Sequence, residues 1–174
     1  AYAVDAASGD RQWRWSGADH WRGPAVVGDG TVYVTSYDGG VLALDAADGT
    51  ERWRHTMEHT VGPVAVADGT VFAAGEPVVA LSGTDGSVVW ETARAENRRG
   101  APPTVASETV LVGERALARA DGSQRWQFET REVVFGDYNR AGVAVGPVAV
   151  DDLVFVATEA SDCYALGSAA ESES

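Results

Sequence analysis

Apolar and polar residues alternate along most of this chain in short runs that are separated by turn residues. Thr31-Val-Tyr-Val-Thr35 and Thr70-Val-Phe-Ala73 show the period of two that is typical of half-buried β-strands. Asp29-Gly30 and Asp68-Gly69 directly precede these runs, and Asp-Gly favours a tight hairpin. Helical spacing of apolar residues is absent, so we expect an all-β fold with almost no helix.

One pattern, Ala-x-Asp-x-x-x-Gly-x-x-x-Trp, recurs four times at a spacing of roughly 40 residues. Its second copy runs from Ala43 to Trp53, and two copies depart from it by carrying Ser82 and Ala118 in place of Asp. We expect the glycine to supply a positive φ in a turn, the Asp to cap that turn, and the Trp to pack on a neighbouring repeat. The repeated residues are Gly9, Gly49, Gly86 and Gly122, and Trp13, Trp53, Trp90 and Trp126.

Each repeat is interpreted as four short antiparallel strands, here called A to D. Strand A is predicted to begin at a proline, strand B follows the hairpin, strand C carries the Ala and the Asp, and strand D ends on the Trp. Repeated units of this kind are typical of β-propeller blades, which bury their faces by stacking on one another. The predicted division is a partial blade at 1–15, blades at 24–55, 63–92 and 102–129, a partial blade at 147–166, and a polar tail at 167–174.

The charge is strongly acidic, with 26 acidic residues against 13 basic ones and a formal net charge of −13. Every basic residue is Arg, and Ile is absent, which indicates a GC-rich genome. Such self-repulsion is tolerable in very salty solution, because about 1 M salt shortens the screening length to about 3 Å. We therefore expect a protein from an extreme halophile. An acidic mesophilic protein from a GC-rich bacterium is the alternative.

Several classes of site and partner are disfavoured by the same sequence. The carboxylate excess argues against a nucleic-acid partner, and no apolar run is long enough to span a bilayer. The single cysteine, Cys163, permits no intramolecular disulfide. It lies in an apolar strand pattern and is expected to be a buried structural thiol. No metal site is predicted.

The repeat resembles the tryptophan docking motif of the pyrroloquinoline-quinone (PQQ) repeat, found in quinoprotein alcohol dehydrogenase-like propellers. The resemblance covers nearly the whole chain, from Tyr2 to Leu166. Because propellers of this family have about seven or eight blades, it implies part of a larger propeller. A four-bladed ring, or two chains that pair into an eight-bladed one, remain alternatives, and open blade faces would favour self-association.

The family's ligands approach the face formed by the D–A and B–C connections, which places eight polar or aromatic residues there as binding candidates. The first group, residues 20–22, combines an aromatic ring for stacking, a titratable imidazole and a positive charge. The second group is the pair Arg98-Arg99, which can bind a carboxylate or a phosphate. The third group, residues 138–140, belongs to a long insertion that mixes apolar and polar residues as recognition loops do. Loops that merely cover blade edges or form surface salt bridges are the alternative for each. The candidates are His20, Trp21, Arg22, Arg98, Arg99, Tyr138, Asn139 and Arg140.

The resemblance implies two functions. The first is a non-catalytic propeller scaffold that binds a protein or ligand, similar to outer-membrane assembly lipoproteins and exported or associated with the cell surface. The second is a fragment of a PQQ- and calcium-dependent quinoprotein dehydrogenase. No catalytic residue of that enzyme family can be carried onto this chain, so no cofactor is predicted under the first hypothesis, and the blade name alone does not imply PQQ binding.

Overall fold

The computed structural model describes residues 1–17, 20–37, 39–57, 62–75, 77–92, 102–131, 133–135, 138–140, 143, 146–151 and 153–167, with only the backbone described at 133–135 and 138–140. No helix occurs among these residues. The strands are β1 (Tyr2–Val4), β2 (Arg11–Arg14), β3 (Trp21–Gly28), β4 (Thr31–Ser36), β5 (Gly40–Asp45), β6 (Glu51–Thr56), β7 (Val64–Ala67), β8 (Thr70–Ala74), β9 (Val78–Ser82), β10 (Val88–Glu91), β11 (Thr104–Ala106), β12 (Thr109–Val112), β13 (Arg115–Ala118), β14 (Gln124–Gln127), β15 (Val133–Phe135), β16 (Tyr138–Arg140), β17 (Val148–Val150), β18 (Leu153–Ala157) and β19 (Cys163–Gly167).

The strands pair antiparallel with their sequence neighbours. Three sheets have four strands each, in the orders β3-β4-β5-β6, β7-β8-β9-β10 and β11-β12-β13-β14. The described residues also form a three-stranded sheet, β17-β18-β19, and two two-stranded sheets, β1-β2 and β15-β16. The chain divides into two compact units, Ala1–Gly100 and Ala101–Ser174.

Each A–B hairpin closes on the turn residues that the sequence indicates. Asp29 and Gly30 both have positive φ, at 48° and 69°, and Asp68 and Gly69 have 44° and 70°. Two consecutive positive φ values define the type I′ turn, whose twist matches that of the paired strands. The Asp-Gly dipeptides therefore fix the register of β3 on β4 and of β7 on β8.

Each C–D hairpin places the motif alanine directly opposite the motif tryptophan. Ala43 pairs with Trp53 and Ala80 with Trp90, and a register shift follows at the same position in the hairpins that these residues form. In the turn of the second copy, the amide of Ala47 donates to the carboxylate of Asp45 at 2.8 Å. The predicted capping role of the Asp is confirmed, and the small alanine leaves room for the indole across the strand pair.

The core of the first unit lies between the sheets β3–β6 and β7–β10. Alternate side chains of β5 and alternate side chains of β9 both belong to this core. The two blades therefore bury apolar side chains against each other, as stacked sheets do. The buried cluster comprises Tyr33, Val41, Ala43, Trp53, Met57, Val64, Val71, Ala73, Val79 and Leu81.

Three local predictions are wrong. Strand β3 begins at Trp21 instead of Pro24, because the Gly23-Pro24 pair forms a register shift inside the strand and does not start it. The insertion expected as a loop contains the hairpin β15–β16. Cys163 is exposed, because it lies in β19 on the same side of the sheet as Phe155, and that side is uncovered among the described residues.

Candidate functional site

The motif tryptophans join adjacent repeats of the first unit. The indole N–H of Trp13 donates to the carbonyl of Ala46 at 3.0 Å, and that of Trp53 donates to the carbonyl of Gly83 at 2.9 Å. The amide of Gly83 in turn donates to the carbonyl of Gly69 in its own A–B turn at 2.7 Å. One residue, Gly83, thus binds its own blade through its N–H and the preceding blade through its C=O, which makes the Trp a structural residue.

A cluster of aromatic rings and guanidinium groups lies where strand β2 leads into β3. The rings of Trp15 and Trp21 are 5.4 Å apart at 58°. The guanidinium carbon of Arg54 lies 5.7 Å from the centre of the Trp15 ring, and that of Arg22 lies 5.3 Å from the Tyr37 ring. Because successive strand residues point to opposite faces, Trp21 with Trp15 and Arg54 forms one group, and Arg22 with Tyr37 forms a second. The two groups together are called the aromatic–arginine cluster below. Tyr37 is 57% exposed, so the second group reaches the surface.

Backbone pairing holds this cluster in place. Trp21 and Arg22 pair with the end of strand β4, and the hydroxyl of Thr35 donates to the Arg22 carbonyl at 2.8 Å. Gly17 lies under the Trp15 ring, where an added Cβ would come within 2.8 Å of the indole. The predicted candidates Trp21 and Arg22 therefore lie on a hydrogen-bonded strand, which orients side chains better than the loop expected from the sequence.

An open groove of about 440 Å³ lies beside Trp15. It is called the Trp15 groove below. Its volume falls within the roughly 300–1,000 Å³ of ordinary ligand pockets. Cationic and aromatic side chains dominate its lining, which includes Tyr2, Arg11, Arg14, Trp15, Ser16 and Trp21.

The other sequence candidates are placed differently. His20 is exposed, and its carbonyl accepts the amide of Tyr37 at 3.0 Å. Tyr138, Asn139 and Arg140 form strand β16, of which only the backbone is described. Arg98 and Arg99 lie outside the described residues. Trp21 and Arg22 are thus the two of the eight candidates that lie in the aromatic–arginine cluster, at successive positions of β3 whose side chains point to opposite faces.

Sequence reasoning missed three members of the cluster. Trp15 follows the motif residue Trp13 by two positions, and the described structure has an aromatic pair at the same spacing in Trp126 and Phe128, whose rings are 6.4 Å apart. The aromatic residue two positions after the motif Trp was therefore a usable signal. Arg54 carried none, because its contact with Trp15 depends on how blades stack. Tyr37 contacts Arg22 of the neighbouring strand in its own sheet.

Charged side chains of the second unit tie neighbouring elements together. Arg131 forms a bidentate ion pair with Asp162, at 3.0 and 3.1 Å. Arg131 directly precedes the segment that contains β15–β16, and Val143 beyond that segment forms a bridge with Thr158. Both flanks of the hairpin are therefore attached to the turn between β18 and β19.

The turn carboxylates have lowered pKa values. Hydrogen bonds from the hydroxyl and the amide of Ser87 lower the pKa of Asp85, and those from Ser123 do the same for Asp121. The hydrogen bond from Arg52 is the first cause of the lowered pKa of Asp45. These exposed carboxylates stabilise turns in their ionised form.

The described residues contain neither a cluster of metal ligands nor a membrane-spanning helix. No group of three or more His, Cys, Asp or Glu side chains there could hold a metal ion. That part of the chain also contains no helix long and apolar enough to cross a membrane.

Comparison with protein families gives one match over almost the whole chain. Residues 1–173 match the family of PQQ-like repeats described as outer membrane protein assembly factor BamB. The assembly factor BamB of Pseudomonas aeruginosa is 30% identical over 140 residues, which make up 77% of this chain and 35% of that protein. The chain therefore spans about a third of the length of this curated relative.

Solved structures share the fold. BamB from Moraxella catarrhalis matches with a TM-score of 0.79 and 21% identity, over 91% of this chain and 53% of that one. A quinohemoprotein alcohol dehydrogenase, ADHIIG from Pseudomonas putida HK5, matches with a TM-score of 0.69 and 19% identity, over 84% and 30%. The predicted β-propeller blades of the PQQ-repeat type are confirmed.

Proposed function

The chain belongs to the PQQ-like repeat family described as outer membrane protein assembly factor BamB, and we propose that it is a non-catalytic propeller scaffold that binds a protein partner. The partner surface is the aromatic–arginine cluster. The relatives that carry the proposal are assembly factors by name, and each of them is longer than this chain.

The observation that supports a protein partner is the composition and rigidity of the cluster. Trp, Tyr and Arg dominate the binding energy of protein interfaces, since they combine a large apolar surface with polar groups. The backbone of Trp21 and Arg22 is fixed by pairing with β4, so less backbone entropy is lost on binding than for residues of a loop. Tyr37 and Arg54 extend the surface on either side of them.

The same proposal includes an exported or cell-surface location, and it requires no cofactor. The dehydrogenase alternative rests on a fold similarity below 25% identity, and fold alone does not carry an activity. Titration of the protein with PQQ in the presence of calcium, followed by dye-linked alcohol oxidation, tests it. Saturable PQQ binding together with turnover would replace the scaffold proposal.

Self-association is a further part of the proposal. Val148, Val150, Leu153 and Phe155 point to one side of the sheet β17–β19, and all four are exposed. Burying such a patch is favourable by about 25 cal/mol per Å² of apolar surface. Light-scattering mass in concentrated KCl is expected to exceed the 18.2 kDa of one chain, and Phe155→Glu should return it to that value.

A cross-linking experiment with matched baits tests the protein-binding proposal. Immobilised protein is exposed to envelope and soluble extracts of its source organism, and cross-linked partners are identified by mass. We expect a partner that is captured by the wild type, lost with the Trp21→Ala, Arg22→Ala double variant, and retained with Arg125→Ala. Arg125 is a suitable control because it is an arginine of the second unit whose guanidinium binds Thr109 in its own sheet. Equal capture by all three baits would refute the proposal.

A further inference from the structure

The Trp15 groove contains positive charge that the protein itself does not neutralise. Among the described residues, the guanidinium groups of Arg11 and Arg14 have no ion-pair or hydrogen-bond partner, whereas those of Arg52, Arg54 and Arg131 each have a carboxylate within 3.1 Å. Unpaired guanidinium groups are notable in a chain with a net charge of −13. They present forks of N–H donors that suit planar carboxylates.

The two tryptophans of the groove offer unused donors as well. Trp13 and Trp53 donate their indole N–H to backbone carbonyls. Within the described part of the chain, the indoles of Trp15 and Trp21 have no such acceptor, although both rings are half-buried. A half-buried Trp ordinarily finds a partner for its N–H. The groove therefore combines aromatic faces, free indole donors and two free guanidinium groups.

From these observations we propose that the Trp15 groove binds an acidic polypeptide segment that carries an aromatic residue next to its carboxylates. The carboxylates pair with Arg11 and Arg14, and the aromatic side chain stacks against Trp15 and Trp21. This inference rests on the proposed function and adds the chemistry of the partner segment.

The charge distribution favours a short acidic peptide over an extended polyanion. A nucleic acid or an anionic membrane would bring many negative charges close to an acidic protein, and it would be repelled outside the groove. A peptide can place a few carboxylates within the reach of two arginines. An open groove of about 440 Å³ also accommodates a few peptide residues better than the extended surface of a membrane or a nucleic acid.

The test uses short labelled peptides and fluorescence anisotropy, at the lowest KCl concentration that keeps the protein folded by circular dichroism. One peptide alternates Glu and Phe, a second has Gln in place of Glu, and a third has Lys. We expect the Glu peptide to bind, and the Gln peptide to bind about tenfold more weakly, because two exposed charge pairs contribute on that order. The Lys peptide should not bind.

Variants locate the binding. Arg11→Gln with Arg14→Gln should weaken the Glu peptide about tenfold and leave the Gln peptide unchanged, whereas Arg125→Gln should change neither. Circular dichroism of each variant confirms the fold. Equal binding of the Glu and Gln peptides, binding insensitive to the double variant, or binding of anionic vesicles without peptide binding would each overturn the inference.

The outcome is separable from that of the proposed function. If partner capture depends on Trp21 and Arg22 while the Glu peptide does not bind, the protein-binding function stands and the acidic-segment inference falls. If the Glu peptide binds through Arg11 and Arg14 but no partner is captured, the groove chemistry stands and the capture surface is refuted.

Discussion

Trp53 lies directly against Gly86 of the following blade. A Cβ added at Gly86 would come within 2.6 Å of the Trp53 ring. Trp13 lies against Gly49 in the same way, since a Cβ added at Gly49 would come within 2.5 Å of the Trp13 ring. The motif glycine therefore has two roles, since it adopts a positive φ in its own turn and also leaves room for the tryptophan of the preceding repeat.

Gly86→Ala should destabilise the protein more than Gly69→Ala. Both glycines have φ near 70°, at 73° and 70°, so an alanine at either position carries a conformational cost of about 1–2 kcal/mol. Only Gly86 contacts a ring, since nothing lies within 4 Å of a Cβ at Gly69. Overpacking should add about 1–3 kcal/mol at Gly86. Urea unfolding in concentrated KCl measures both variants, and equal losses would show that the ring contact is unimportant.

Trp53→Phe should cost about 1 kcal/mol for the lost hydrogen bond and about 1–2 kcal/mol more for the part of the buried ring that it removes. The carbonyl of Gly83 loses the indole N–H but keeps the Tyr33 hydroxyl, which donates to it at 3.4 Å. Adding Tyr33→Phe leaves this carbonyl without either donor, so the double variant should lose more than the sum of the two single variants. Trp126→Phe is the control, because its ring is 39% exposed. Strict additivity would contradict the shared acceptor.

The repeat alone predicted the A–B and C–D hairpins, since the turn residues that form them are local in sequence. The contacts within the aromatic–arginine cluster could not be predicted in the same way. The contact between Trp15 and Arg54 joins two blades, and no local pattern specifies it. The start of β3 was missed because Gly23-Pro24 was interpreted as a strand start, whereas the strand continues through this pair with a register shift. The hairpin β15–β16 was missed because strands of three residues show too little alternation.

Acid should destabilise the protein in the range below the ordinary Asp pKa of 3.8. The folded state lowers the pKa of Asp45, Asp85 and Asp121. A lowered folded pKa contributes stability that is fully present above the unfolded value and is lost as the pH falls through the folded value. Asp85→Asn keeps an acceptor oxygen but cannot titrate, so its stability should fall less steeply between about pH 4 and 2. Chemical unfolding at a series of pH values measures the slopes. Parallel slopes for wild type and Asp85→Asn would contradict the assignment.

The hypothesis of a halophilic origin predicts that salt stabilises this protein. The net charge is −13, so the carboxylates repel one another at low ionic strength. At about 1 M salt this repulsion is screened, because the screening length is only about 3 Å. We expect the melting temperature to rise between low and multi-molar KCl. Sucrose at matched osmolality is the control, since it strengthens burial without screening charge. A melting temperature that does not change with KCl would favour the mesophilic alternative.

The ion pair between Arg131 and Asp162 should hold the hairpin β15–β16 in place. Arg131→Lys keeps the charge but loses the bidentate geometry, whose two N–O distances are 3.0 and 3.1 Å. Amides of Val133–Phe135 and Tyr138–Arg140 should then exchange with deuterium about fivefold faster, the factor that corresponds to about 1 kcal/mol for one exposed pair. Amides of β4 and β8 provide the internal control and should not change.

Asp162→Asn should produce the same acceleration, and combining it with Arg131→Lys should add nothing, because each variant removes the same pair. Faster exchange throughout the chain would instead indicate global destabilisation, and unchanged exchange in the hairpin would show that Val143 and its bridge to Thr158 suffice to anchor it.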